Sequence, residues 1–170
     1  MATPSTRSTG NWSSPNKGLA ARLLAEPEDL QSGLRCAITL ELRNGRSEPL
    51  VVTNQPDMVA RLNDASGAPT SPAALLVSGP FRPEQWAVIP GEARLAFRVD
   101  LQTLGAPTRE QGVVLVALGN QGWMVGQGSY LLEATMSVRK KDHGPPDQWI
   151  GELALPAVAI EVPASLFAVN

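Results

Sequence analysis

Of the 170 residues, one is cysteine, one histidine and one tyrosine. A lone cysteine cannot close a disulfide within the chain, so a packed core must hold the fold. One histidine beside one cysteine excludes the Cys/His sets that hold structural zinc. No apolar run approaches the ~20 residues that a membrane-crossing helix needs. The opening Met-Ala-Thr-Pro-Ser-Thr-Arg has no apolar core of the kind a secretory signal carries, so the expected location is cytoplasmic. Positive charge is also short: with 14 basic and 16 acidic residues the formal charge is −2, which gives no field for a nucleic-acid backbone. Eleven of the basic residues are arginine, a bias that, with abundant alanine, associates with GC-rich bacterial genomes. Internal repeats and long amphipathic helical stretches are missing.

What is present is alternation. From Gly128, Tyr130, Leu132, Ala134, Met136 and Val138 fall on one side, and Leu131, Glu133, Thr135, Ser137 and Arg139 on the other. A period of two is that of a half-buried strand. Leu34, Cys36, Ile38, Leu40 and Leu42 alternate in the same way with Arg35, Ala37, Thr39, Glu41 and Arg43. Shorter strands are expected at 57–63, 86–89 and 95–99, with turns at Asn44-Gly45, Asp64–Gly67 and Pro90-Gly91. Gly18–Ala25 is expected to be an edge strand ended by Pro27, and 149–162 supplies the last strand with a bend at Pro156. These spacings predict an all-β, antiparallel immunoglobulin-like β-sandwich over 18–163. Ile38, Leu40, Phe97, Leu132 and Met136 are expected near its centre, and Tyr130 is placed where such sandwiches carry a tyrosine corner.

Two segments stand apart. Val113–Leu118 is continuously apolar and, across Gly119-Asn-Gln-Gly122, meets Trp123-Met124-Val125 as an inserted hairpin. Alternate side chains leave a strand on opposite faces, so six apolar residues in a row need cover on both. Either the segment 69–83 or the tail supplies it, or another chain covers one face; the second is the expectation here, with Val114 and Val116 on the partner's side. Residues 1–17 are rich in Ser, Thr, Pro and Asn and are expected to form a flexible arm, with Trp12 as its anchor. Residues 164–170 form a tail. Cys36 falls on the apolar side of its strand and is expected to be an inert buried thiol. His143 lies in a loop with Asp142 and Asp147, where a solvated side chain is the simple reading.

Several of these pieces, in order, resemble a group of bacterial immunoglobulin-like domains. They are the Leu34–Leu42 strand running into Arg43-Asn44, Arg61–Gly67, Ile89-Pro90-Gly91-Glu92, Gly128-Ser129-Tyr130 and Trp149-Ile150-Gly151-Glu152-Leu153. The group includes BsuPI-like intracellular proteinase inhibitors, and the resemblance spans roughly 34–162. It implies the sandwich and allows an inhibitor; no inhibitory-loop motif carries over.

Catalytic motifs are not found: there is no nucleophile elbow, no calcium loop, and the glycine pairs do not open a helix. The expected function is a non-catalytic protein–protein interaction module, an accessory subunit docking on a larger assembly. Its partner-binding residues are expected to be Trp12, Val114, Val116, Trp123 and Met124, with no cofactor, no metal and no nucleic acid. Proteinase inhibition and carbohydrate binding through exposed tryptophan faces are the alternatives.

Overall fold

The two long alternating segments become the central strands of two facing sheets. The computed structural model describes residues 7–30, 33–73, 76–77, 83–100, 103–104 and 106–168. Its strands are β1 (Ser8–Thr9), β2 (Leu19–Leu30), β3 (Gly33–Asn44), β4 (Leu50–Thr53), β5 (Asp57–Asp64), β6 (Leu76–Val77) and β7 (Trp86–Ile89). They are followed by β8 (Arg94–Arg98), β9 (Thr103–Leu104), β10 (Val114–Leu118), β11 (Gln121–Val125), β12 (Gly128–Val138) and β13 (Gly151–Val162). Short 3-10 turns lie at Arg109–Gln111 and Ala164–Phe167. The larger sheet runs β1-β2-β3-β10-β11, with β8 also pairing to β3, and the smaller runs β13-β12-β5. Two further pairs, β4–β7 and β6–β9, complete an all-β sandwich. Pairing is antiparallel except where β10 meets β3 in parallel at Leu115 and Arg35, and at an isolated bridge between Val51 and Gln148.

Alternation decides which side chains meet between the sheets. Leu34, Cys36, Ile38, Leu40 and Leu42 of β3 are all buried, as are Leu132, Ala134, Met136 and Val138 of β12. They share one core with Leu19 and Leu23 of β2, Leu62 of β5 and Ile160 of β13. Each such side chain contributes about 1.5–3 kcal/mol by leaving water. Phe97 is only half-buried, because β8 is an outer strand on that flank of β3. Cys36 is 1 % exposed, and burial pushes its thiol up to about 12, leaving it protonated and unreactive.

The local punctuation behaves as the residue types require. Tyr130 donates its hydroxyl to the Gly126 carbonyl at 3.2 Å, a bond back to the chain just upstream that locks the corner entering β12. The register of β13 on β12 shifts between the Leu132–Val158 and Ala134–Leu155 pairs. One extra residue of β13 is thus inserted around Pro156, a bulge that spares proline a ladder position. Strand β2, however, does not stop at Pro27 but continues to Leu30, with Pro27 opposite Cys36. β1 pairs β2 only as far as Ala25, so Pro27 occupies an edge that no strand needs as a donor.

The arm and the hairpin both differ from expectation. Residues 7–17 do not hang free: β1 pairs with β2, and Gly10, Ser13 and Asn16 donate their amides to Leu23, Ala21 and Leu19. Gly10 fits closely there, since a Cβ would press on the Leu23 carbonyl at 3.0 Å and on Val158 at 3.4 Å. Residues 1–6 lie outside the described residues. In the hairpin, Val114–Leu118 are all 2 % exposed or less. Val114, Val116 and Leu118 join Trp123 and Val125 in the central core, while Leu115 and Ala117 on the other face are also closed off. The segment after β5 helps to cover β11: the Trp123 indole donates to the Thr70 carbonyl at 3.0 Å, and the Ala73 amide to that of Gly122. The hairpin's turn is left-handed at Gly119 (φ 67°), and a Cβ there would collide with the Met58 carbonyl oxygen. The hairpin is therefore core, locked against β5.

Candidate functional site

The arm's course along β2 determines where Trp12 goes. Ser13 turns inward, is 5 % exposed and accepts the Ala21 amide on its hydroxyl at 3.0 Å. Its neighbour Trp12 turns the other way and is laid, half-buried, on the outer face of the larger sheet. Three strands each bring an arginine to it. The guanidinium carbons of Arg22 on β2, Arg43 on β3 and Arg94 on β8 stand 4.5, 4.6 and 5.4 Å from the indole centroid. These residues occupy adjacent outward rows: Arg22 opposite Glu41, and Arg43 opposite both Ala20 and Arg94.

Two of the three positive charges, Arg22 and Arg94, share one carboxylate here. Glu41 pairs with Arg22 at 2.6 Å and more loosely with Arg94 at 3.7 Å. Arg43 has the indole face as its contact and no carboxylate within 4.0 Å among the described residues. Further along the same face the charges are matched. Arg98 takes both carboxylate oxygens of Asp100, at 2.6 and 2.9 Å, and reaches Glu28 at 3.4 Å. The hydrogen bonds that Arg98 donates to Asp100 come first among the influences that raise the Arg98 pKa. The excess is thus local to Trp12. Arg43 and Arg94 stand directly opposite each other on neighbouring strands, an arrangement that costs stability unless something else compensates.

A second cluster gathers on the β4–β7 side. Glu84 accepts the Thr53 hydroxyl at 2.7 Å and the Lys141 ammonium at 2.6 Å on one oxygen, and meets His143 Nε2 at 2.8 Å with the other. Burial pushes the Glu84 carboxyl up, but the hydrogen bonds from Lys141, His143 and Thr53 outweigh it and set the pKa at about 2. The buried Gln148 amide ties the same loop to itself, bonding the Lys141 backbone in both directions and the Pro145 carbonyl. This is a balanced clasp: Thr53 gives its proton to Glu84, so no hydroxyl is presented to His143 for activation. Among the described residues no group of three or more His, Cys, Asp or Glu could hold a metal ion.

Of the residues expected at a partner surface, Val114, Val116 and Trp123 are inside the core and cannot contact a partner in this folded chain. Apolar runs demand cover, and this chain supplies it from within. Met124 remains 38 % exposed on β11, and Trp12 is accessible toward the other end of β3, at Arg43 rather than at Arg35 where β10 pairs. The structure therefore does not bring Trp12 and the hairpin into one site. The arginines around Trp12 were missed as a group, although Arg43 is readable as an outward position of its strand. Of the other tryptophans, Trp123 and Trp149 are 2 % and 4 % exposed, and the half-buried Trp86 has one ring edge close to Gly144.

No protein-family model matches the chain, and comparison with curated proteins and with solved structures also gave no match. No helix among the described residues is long and apolar enough to cross a membrane. An indole and three guanidiniums provide large amphipathic contact area and forked donors.

Proposed function

We propose that this protein is a non-catalytic interaction module that docks a protein partner on the face carrying Trp12. The observation that carries this is the convergence of Trp12, Arg22, Arg43 and Arg94 on one accessible patch. Tryptophan and arginine are the residue types that dominate binding energy at protein interfaces, because both bury much area while keeping a directional polar group. The arm delivers Trp12 by backbone bonds to β2, so the patch is organised before any partner arrives, which lowers the entropy cost of docking. Proteinase inhibition has no comparable feature in its favour, and carbohydrate binding would need an open tryptophan face.

The test is affinity capture with the tagged chain from an extract of the encoding organism, run beside Trp12→Ala and Met124→Ala. The expected result is a stoichiometric protein partner that Trp12→Ala loses and Met124→Ala retains. Equal capture by wild type and Trp12→Ala would move the docking surface away from this face.

A further inference from the structure

We infer that the Arg43–Arg94 row beneath Trp12 is a binding site for a phosphate-type oxyanion. The inference rests on the reading of this face as a docking surface, and it names the chemistry that the face would recognise. Three guanidiniums and one carboxylate leave an excess of two positive charges, with all three guanidinium carbons within 5.4 Å of one indole centroid. Glu41 is committed to Arg22 at 2.6 Å, and its contact with Arg94 is long at 3.7 Å. The Arg94 side chain is 55 % exposed and open to a ligand. Arg43 is half-buried, and its forked donors have no hydrogen-bond acceptor among the described residues. Directly opposed arginines on paired strands normally repel. Trp12 offsets part of that repulsion through its ring face but accepts no N–H bond in the plane of the fork.

A tetrahedral oxyanion between the two forks would accept bonds from both and neutralise the excess. A dianion fits the residual charge better than a single carboxylate does. The matched Arg98–Asp100 pair on the same face shows the contrast, since its fork is already filled from within the chain.

Inorganic phosphate is titrated into the whole chain at constant ionic strength, with binding read by calorimetry and by melting temperature. Saturable binding is expected. Arg43→Gln and Arg94→Gln should each weaken it by about tenfold or more, the size of one lost charge-assisted hydrogen bond. Arg43→Lys, which keeps the charge but not the fork, should weaken it less, and the exposed Arg139→Gln not at all. A phosphoserine peptide is run in parallel. Tighter binding of the peptide means that a partner presents the oxyanion, whereas equal binding means that the free ion suffices. The inference is overturned if phosphate shows no saturable binding up to about 20 mM, a concentration corresponding to only ~2–3 kcal/mol of affinity. It is equally overturned if Arg43→Gln binds as wild type does. Phosphate binding without a Trp12-dependent partner would keep the oxyanion site and remove the docking proposal; the reverse pattern would do the opposite.

Discussion

Around Glu84 one carboxylate is met by three donors, whereas around Trp12 three guanidiniums turn toward an aromatic ring and only two of them reach a carboxylate. The first arrangement closes on itself. Thr53 is 2 % exposed, the Glu84 side chain only 15 %, and every oxygen of the carboxylate is used, so its product is the attachment of the 141–148 loop to β4 and β7. The second is left open, with charge to spare and an exposed Arg94. Clusters of similar composition can thus have different meanings. The Glu84 cluster ties a loop to the strands through matched charge, whereas the Trp12 face keeps unmatched charge, on which the proposed ligand site rests.

The comparison is broken most directly at Glu84. Glu84→Ala removes the acceptor of Thr53 and Lys141, and should cost about 1.5–3 kcal/mol in a denaturant titration, as for hydrogen bonds to a charged group. A negligible change would mean that the clasp is no more structural than the arginine patch. Lowering pH tests the same group without mutation. Its folded pKa of about 2 lies below the ordinary 4.5, so its stabilisation is complete above about 4.5 and is lost as pH falls toward 2. Glu84→Gln should flatten the decline of the unfolding midpoint between pH ~5 and ~2.5; an unaltered slope would assign the acid sensitivity to other carboxylates. Tyr130→Phe, remote from both clusters, sets the scale for one neutral hydrogen bond and should cost about 0.5–1.5 kcal/mol. The smallest effect is expected at Arg43→Gln. Removing one of two opposed cations should leave stability within about 0.5 kcal/mol of wild type or raise it slightly at low salt. A loss as large as that from Glu84→Ala would show that the Trp12 patch is also architecture.

Alternation in the chain was enough to assign faces to β3 and β12 and to predict their buried side chains, because side-chain direction in a strand depends only on local backbone geometry. The turn at Asp64–Gly67, the bend at Pro156 and the Tyr130 corner were legible for the same reason, each being set by residues within a few positions. The hairpin shows the limit. Its six apolar residues stated that both faces need cover, but not that Thr70–Ala73 and the core would supply it. The arm's composition likewise concealed its docking, which depends on Gly10, Ser13 and Asn16 meeting a strand edge rather than on any apolar content of their own. The Trp12 patch draws on four separate segments, and the Glu84 clasp on three. By itself, then, the sequence determined the long alternating strands, their inward faces and their turns, but not β1 or the end of β2. Only the tertiary structure decided which charges became neighbours, because cross-strand register and sheet order bring together residues whose separation along the chain carries no local signal.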